Sequence, residues 1–268
     1  MFIWTFHVTN KIKYMKITFL GTGTSQGIPV IGCDHPVCLS KNPKDKRLRS
    51  SVLIQDENFQ IVIDCGPDFR MQMLQSGINQ LDGIVFTHEH SDHTAGLDDI
   101  RQFSHRHGAL SLYAESRVLN DLHKRFEYIF NNDIIYEGKP QARSIQIEAQ
   151  KTFEIKNKTI IPIAIMHGDL PILGFRIDDF AYLTDISYIS PSEMEKLKGL
   201  SLLVVDALRL EPHYTHYNLA QALDLVEELS PLQTYLTHIS HRLGLHDEVE
   251  KLLPERIYLS YDGLEVIV

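Results

Sequence analysis

His88, His90, Asp92 and His93 crowd into one stretch, T-H-E-H-S-D-H, at residues 87–93. Three imidazoles and a carboxylate make a nitrogen and oxygen donor set suited to zinc, manganese or iron. The apolar run DGIVF before it predicts a strand that ends in a metal-binding loop. In an extended segment residues i and i+2 point to one side. His88, His90 and Asp92 are therefore expected to project together, with His93 turning in where the next helix begins. One loop cannot fill two metal shells. His167 in IAIMHGD, Asp185 in FAYLTDIS and His238 in TYLTHISH each stand just after an apolar, strand-like run. Loops at strand ends collect on one rim, so these residues are expected to join the first four there.

A second donor group lies in G-C-D-H-P-V-C, residues 32–38, with Cys33, His35 and Cys38. Thiolate and imidazole ligands on a tight loop point to a structural zinc. His241, three residues after His238, is the natural fourth ligand. The C-x4-C spacing is wrong for a redox pair. P-H-Y-T-H, residues 212–216, places His213 and His216 just before an amphipathic run, where His216 is the stronger candidate for a proton donor or phosphate contact. Asp64 in IDCGPD, and similarly Asp206, are expected to orient ligands from behind. Gly21, Gly23 and Gly27 read as a tight connection near the metal rim, because their spacing is not that of a dinucleotide fingerprint. His105, His107, His123 and His246 are expected on the surface.

The elements that must position these residues can be read from periodicity. KITFLG after Met15 is a strand, and SVLIQ with FQIVIDCG reads as a hairpin across DEN. FRMQMLQS closing on Gly77 is a short helix. HTAGLDDIRQFSH and residues 115–130 read as helices, the latter from the spacing of Val118, Leu119, Leu122, Phe126 and Ile129. Strands then recur at SIQIEA, TFEI, 158–167, ILGFRID, FAYLTD, SLLVVDA, QTYLTHISH and LEVIV, with a helix over 218–229. Strands come in runs, helices intervene, and the pattern repeats in the second half. That order predicts one four-layer α/β domain, with two packed sheets and helices outside. Residues 1–14 carry no motif and are expected to be an extension ahead of a single domain over 15–268.

Composition narrows the class. The 268 residues are 43% hydrophobic, enough for a sizeable core without disulfide staples. Three cysteines do not make a secreted disulfide framework, and no apolar run approaches the ~20 residues of a membrane span. A cytoplasmic location is expected. The net charge of −9 argues against a broad nucleic-acid-binding face. It leaves room for a small anionic substrate, since metal ions make one pocket locally positive.

H-x-H-x-D-H after a strand, followed by a distant His, Asp and His, resembles the metallo-β-lactamase superfamily. The resemblance runs from about Met15 to Val268 and implies the αββα sandwich. It also implies that His88, His90 and His167 hold one metal, that Asp92, His93 and His238 hold a second, and that Asp185 bridges the two. FLGTGTSQGIPVIGC, the cysteine loop, THEHSDHTAGLDDIR and LTHISH are similar to the PhnP-like branch, which includes a phosphoribosyl cyclic phosphodiesterase. That branch carries a structural zinc on a cysteine-rich loop and the last His of HISH. Here His35 stands where the branch commonly has Cys. His216 matches a histidine that those enzymes place near the substrate phosphate.

The resemblance therefore implies two divalent active-site metals, zinc or manganese, and one structural zinc. The activity it implies is hydrolysis of a small cyclic or nucleotide-type phosphodiester by a hydroxide bridging the metals, with His216, Asp92 and Asp185 as catalytic residues. The alternatives on the same fold are a lactonase or thioesterase-type hydrolase and a transfer-RNA 3′-processing nuclease. The first needs no phosphate-contacting histidine. The second normally needs an RNA-gripping arm or basic surface, which this chain lacks. A flavodiiron protein would carry Glu at position 90 and a flavin domain, and a non-catalytic relative would have lost ligands. The expected partner is a small phosphodiester, with no stable nucleic-acid binding and no membrane, and a homodimer is the candidate assembly.

Overall fold

The computed structural model describes residues 14–268. The expected extension lies outside the described residues, save for an exposed Tyr14. Met15 is already buried and exchanges two backbone hydrogen bonds with Val268, so the described chain begins and ends on one strand pair.

The first sheet contains β1 (Lys16–Gly21), β2 (Ser51–Asp56), β3 (Phe59–Ile63), β4 (Gly83–Val85), β5 (Leu110–Ala114) and β6 (Ala142–Gln146). The second contains β7 (Phe153–Ile155), β8 (Lys158–His167), β9 (Leu170–Ile177), β10 (Phe180–Leu183), β11 (Tyr188–Ile189), β12 (Leu202–Asp206), β13 (Gln233–Thr237) and β14 (Ile257–Leu259). The closing strand β15 (Glu265–Ile267) returns to pair with β1. Among the described residues the strand orders are β15-β1-β2-β3-β4-β5-β6 and β11-β8-β9-β10-β12-β13-β14, with β7 beside β8.

Alternation along the strands explains the layers. Val52, Ile54, Ile61 and Ile63 lie in the core between the sheets, with Phe175, Phe180, Tyr182 and Val204 from the opposite sheet. Leu53 and Val62, one residue out of phase, point to the outer face and meet Phe69, Leu97 and Leu122 from the covering helices. Leu203 and Val205 do the same in the second sheet, against Ala222, Leu225 and Val226. Period-two strands with both faces buried force a helix layer onto each outer face. The fold is thus the αββα sandwich.

Each sheet is antiparallel where hairpins build it and parallel where helices cross over it. β3, β4, β5 and β6 run parallel, as do β10, β12, β13 and β14. Parallel neighbours need crossovers, and the helices Phe69–Ser76, Arg101–His107, Ser116–Arg125 and Leu219–Leu229 lie in them. The loops leaving the C-terminal ends of β3, β4, β10, β12 and β13 therefore emerge at corresponding strand ends, where open α/β sheets form their binding crevices.

Two expected helices are broken. The 115–130 helix is interrupted at Phe126, which leaves the helical region (φ −119°, ψ 41°) between Ser116–Arg125 and Glu127–Phe130. HTAGLDDIRQFSH is not one helix either: the turn Ser91–Thr94, the 3-10 segment Leu97–Ile100 and the helix Arg101–His107 follow one another. No helix among the described residues is long and apolar enough to cross a membrane.

His246, expected on the surface, is buried at 2% exposure. Its Nδ1 lies 3.1 Å from the buried Arg47 guanidinium, and its backbone N–H donates to Asp45. A histidine flanked by polar residues reads as exposed unless the long-range partner is known.

The helix Leu219–Leu229 starts with a reciprocal cap. The Asn218 side chain accepts from Gln221 N–H at 2.9 Å, and the Gln221 side chain accepts from Asn218 N–H at 3.1 Å. Asn218→Ala should lower stability by about 1 kcal/mol, the usual worth of such a cap. Urea unfolding checks this, and an unchanged midpoint would contradict it.

Candidate metal centre

Asp64, just past β3, is the hub of the loop behind the ligands. Its carboxylate accepts from Thr87 N–H (2.9 Å) and Thr87 Oγ1 (2.8 Å), and it meets His93 Nδ1 at 2.6 Å. These contacts tie the end of β3 to the loop after β4. Two glycines allow the approach. A Cβ on Gly66 would stand 2.0 Å from the Asp92 carbonyl oxygen, and one on Gly96 would stand 2.1 Å from the Gly66 carbonyl. Cys65 N–H donates to His93 C=O at 2.7 Å across the same seam.

The ligand loop departs from the extended geometry expected of it. Helical backbone begins at Ser91, so Asp92 and His93 sit on a single turn and only His88 and His90 precede it. His88 and His93 are fully buried, Asp92 is half-buried and His90 is exposed. Glu89, between the histidines, pairs with Arg117.

The distant residues arrive from the second sheet. His167 ends β8, Asp185 follows β10 and His238 follows β13. Donor atoms of His88, His90 and His167 lie within 4.8 Å of one another, as do those of Asp92, Asp185 and His238, and those of His88, His93 and Asp185. All seven sequence-expected residues thus meet at one rim. Three imidazole nitrogens packed this closely offer a ready donor set for a cation, and His88 Nε2 is buried without a hydrogen-bond partner among the described residues. The donor chemistry fits divalent metal.

Electrostatics point the same way. Burial pushes His88 well down and His238 down to about 3, leaving both rings neutral, the form that ligates metal. Burial also opposes a charge on His93, but Asp92, Asp185 and Asp64 outweigh it and hold its proton. Its Nε2 stands 3.2 Å from both Asp92 and Asp185 carboxylates. Those carboxylates call for positive charge at the place where a cation would bind. Asp185 is itself held well below the usual carboxylate range: burial would raise it, but the charge on His93 and its hydrogen bond prevail.

His216 joins this rim. Its ring centroid lies 4.7 Å from His167 and 4.9 Å from His238. Nδ1 meets Asp206 Oδ2, at the end of β12, at 2.7 Å. Burial works against a charge on His216, but the Asp206 carboxylate prevails and lifts its pKa to about 9.

Threonines are the residues that spacing arguments missed. Thr87 also lies 2.9 Å from His88 Nδ1, and Thr184 Oγ1 donates to Asp185 Oδ2 at 2.6 Å. The Thr215 carbonyl accepts from His167 Nδ1 at 2.8 Å. The signal was present in the chain: Thr directly precedes His88, Asp185, His216 and His238.

The cysteine loop also closes on the last quarter of the chain. His35 and His241 rings are 5.1 Å apart, and His35 N–H approaches Cys33 Sγ at 3.4 Å. Val37 N–H donates to His35 Nδ1, which leaves Nε2 free, and His241 Nδ1 is buried without a partner among the described residues. The four residues share one neighbourhood. Among the described residues, though, the donor sets within 4.8 Å all belong to the first centre.

Residues 60–239 match the model of the beta-lactamase superfamily domain. The chain belongs to that superfamily. A diphosphatase from the PhnP family superposes with a TM-score of 0.89 at 40% identity, over 95% of this chain and 97% of that one, which places the chain in the PhnP-like branch. An octanoyltransferase of Porphyromonas gingivalis is 41% identical over 256 residues; the match takes in 95% of this chain and 52% of that protein, so the chain spans about half its length. A ribonuclease Z of Borreliella burgdorferi is 23% identical over 84% of this chain and 92% of its own length. Divalent-metal binding and hydrolysis are what this superfamily's fold implies, and the convergent donors suit both.

Asp64→Asn keeps the shape of the hub but removes the charge that holds His93. It should weaken metal affinity by roughly 10–100-fold, as loss of such an orienting carboxylate does, with little change in the far-ultraviolet circular dichroism. Metal retention after dialysis against a graded chelator checks this; retention equal to wild type would contradict it.

Proposed function

We propose that the protein hydrolyses a P–O bond in a small phosphodiester of cyclic or nucleotide type. The observation that carries this reading is the Asp206–His216 pair, set against the donor cluster. Divalent ions bound there would supply an activated water and offset the charge that builds on a phosphoryl group. The chain supplies the rest. With Nδ1 engaged by Asp206, the Nε2–H of His216 is free to serve as a general acid. Water adds to phosphorus, the bond to the leaving oxygen breaks, and that oxygen takes the His216 proton. A lactone or thioester hydrolase on this fold needs no histidine in contact with a phosphate.

The two relatives whose names describe hydrolysis, a diphosphatase and a ribonuclease Z, support a P–O bond as target. The net charge of −9 favours a small substrate over a transfer RNA. We assign no acyl transfer to the chain. The octanoyltransferase is matched over 52% of its length, and burial raises the thiol pKa of both Cys38 and Cys65. A cytoplasmic location, a homodimeric assembly and no membrane association complete the reading.

The test is a panel of cyclic and linear phosphodiesters, lactones and thioesters with purified, metal-quantified protein. Diester hydrolysis is expected; cleavage of lactones or thioesters alone would overturn the reading. Asp92→Ala should nearly abolish turnover by loss of metal. His216→Ala should keep its metals yet slow turnover by roughly 10²–10⁴-fold, and less for nitrophenolate leaving groups, which need little protonation. The pH profile carries a sign. Asp206 raises the His216 pKa, so the acid is present below that pKa and lost above it. Asp206→Asn should therefore move the alkaline fall in rate to lower pH. An unmoved alkaline limb would remove His216 from the acid role.

We also propose that Cys33, His35, Cys38 and His241 hold a structural zinc. Its binding energy would become folding energy. Cys33→Ser should lose about one metal per chain and lower the melting temperature, with the dinuclear metals retained. Unchanged stoichiometry by elemental analysis would refute the assignment.

A further inference from the structure

The helix Ser116–Arg125 sets one polar face against the ligand loop. Arg117, Asp121 and Arg125 recur at every fourth position and so share that face, while Val118, Leu119 and Leu122 are buried. Asp121 accepts from Arg125 Nε at 2.6 Å, and Arg125 donates to Glu89 C=O (3.0 Å) and Thr94 Oγ1 (2.8 Å). Thr94 Oγ1 also faces the Glu89 and His90 carbonyls, at 3.2 and 2.8 Å. Arg125 thus pins the backbone of the ligand loop to the helix.

Arg117 makes a different connection. Its Nη1 pairs with the Glu89 carboxylate, and its Nη2 donates to Pro171 C=O at 2.6 Å. Glu89 stands between His88 and His90, on the loop that leaves the first sheet. Pro171 belongs to the second sheet. It follows Leu170, which faces His167 across the β8–β9 hairpin. One guanidinium therefore spans the two segments that carry His88, His90 and His167. Close by, the same segments share a backbone bond, Leu173 N–H to Thr87 C=O at 3.2 Å. A planar fork of donors suits such a span, because its two arms are held at a fixed separation. This is not a freely solvated ion pair either. The Glu89 side chain is 22% exposed, and its Oε2 is buried with no hydrogen bond among the described residues. Without Arg117 that carboxylate would be left largely uncompensated, and the loop would have to shift to hydrate it.

We propose that Arg117 is a positioning residue for the three-histidine half of the metal centre. By holding Glu89 and Pro171 together it sets the separation of the His88–His90 pair from His167, and so the affinity of that half for a divalent ion. The donors of the other half, Asp92, Asp185 and His238, stand on the turn Ser91–Thr94 and after β10 and β13. Arg117 bonds to none of those segments among the described residues. The inference rests on the metal-centre reading above and adds to it that one residue governs the two halves unequally.

The test is equilibrium dialysis of the purified protein against graded cobalt(II), with bound metal counted by elemental analysis and the visible absorption of the ion followed. Cobalt held by thiolates is read separately, from its near-ultraviolet charge-transfer band. His167→Ala and Asp92→Ala identify which binding step belongs to which half. Arg117→Ala should move the step that is lost in His167→Ala to roughly 10–100-fold higher cobalt, the usual effect of removing a group that orients ligands from behind. The step lost in Asp92→Ala, and the melting temperature of the metal-free protein, should match wild type. Arg117→Lys keeps a charge beside Glu89 but not the fork, so it should recover only part of the loss. Unchanged cobalt affinity in Arg117→Ala would overturn the role. Equal weakening of both steps would do so too, since it marks a general loosening of the fold. Full recovery in Arg117→Lys would show that charge alone suffices and would overturn the bridge. In each of these cases wild type still binds its ions, and the metal-centre reading stands. A wild type that binds no cobalt outside the thiolate band would overturn that reading, and this inference with it.

Discussion

Six ionisable side chains with almost no access to water, His88, His93, Asp64, Asp185, Asp206 and His238, surround one point at the edge of two sheets. Each charge buried there costs several kcal/mol unless it is matched. The matching is done in pairs and through hydrogen bonds: Asp64 with His93 and Thr87, Asp206 with His216, Asp185 with Thr184 and His238. A divalent cation would satisfy both the unpartnered His88 nitrogen and the facing carboxylates. The rest of the domain can be understood as what is needed to hold that cluster together before any ion arrives.

Backbone strain shows where the holding is hardest. Asp64, Asp185 and His238 all adopt left-handed conformations, with φ of 66°, 58° and 55°. Each costs about 1–2 kcal/mol for a residue with a Cβ. Each also ends a strand at the rim, and the kink turns its side chain from the strand direction into the cluster. Straight exits would carry these side chains past one another. The strands behind are mostly buried and in fixed parallel register, so the loops cannot relax the strain by sliding. Asp64 comes from the first sheet and Asp185 and His238 from the second, so neither half of the sandwich holds the site alone.

The layers and the donor residues were legible in the sequence because both rest on short-range regularities. Short continuous apolar runs, such as Val-Leu-Ile in SVLIQD, reveal strands buried on both faces. Histidine and aspartate at strand exits are rare enough to stand out. What was not legible depended on partners far away in the chain. His246 reads as a surface residue because Arg47, about two hundred positions earlier, is what buries it. The break at Phe126 hides inside a perfect helical spacing, since periodicity records which face is apolar and not where the axis turns. The turn at Ser91 likewise sits within a stretch whose residue types alone suggested an extended loop. The threonines preceding four site residues were visible, but a buried hydroxyl has meaning only once its acceptor is placed.

The two proposed metal sites are not independent, and the reason is one residue. Ile239 lies between His238 of the first cluster and His241 of the second. Its N–H donates to Thr22 C=O at 2.9 Å, and its carbonyl accepts from Thr24 N–H at 3.1 Å, so the strand exit after β1 grips it on both sides. Thr22 is fixed in turn by the Arg47 guanidinium at 2.7 Å and by Asp262 at 2.8 Å. Gly23 must be a glycine here, because a Cβ would stand 2.9 Å from the Arg47 side chain and 3.0 Å from two backbone carbonyls. The glycine turn, the buried arginine and the C-terminal loop therefore form a single clamp on residues 238–241. Closing the cysteine loop onto His241 would tighten the segment that also carries His238. A zinc held there would stabilise the fold and, through the two residues between His241 and His238, set where a catalytic ligand stands.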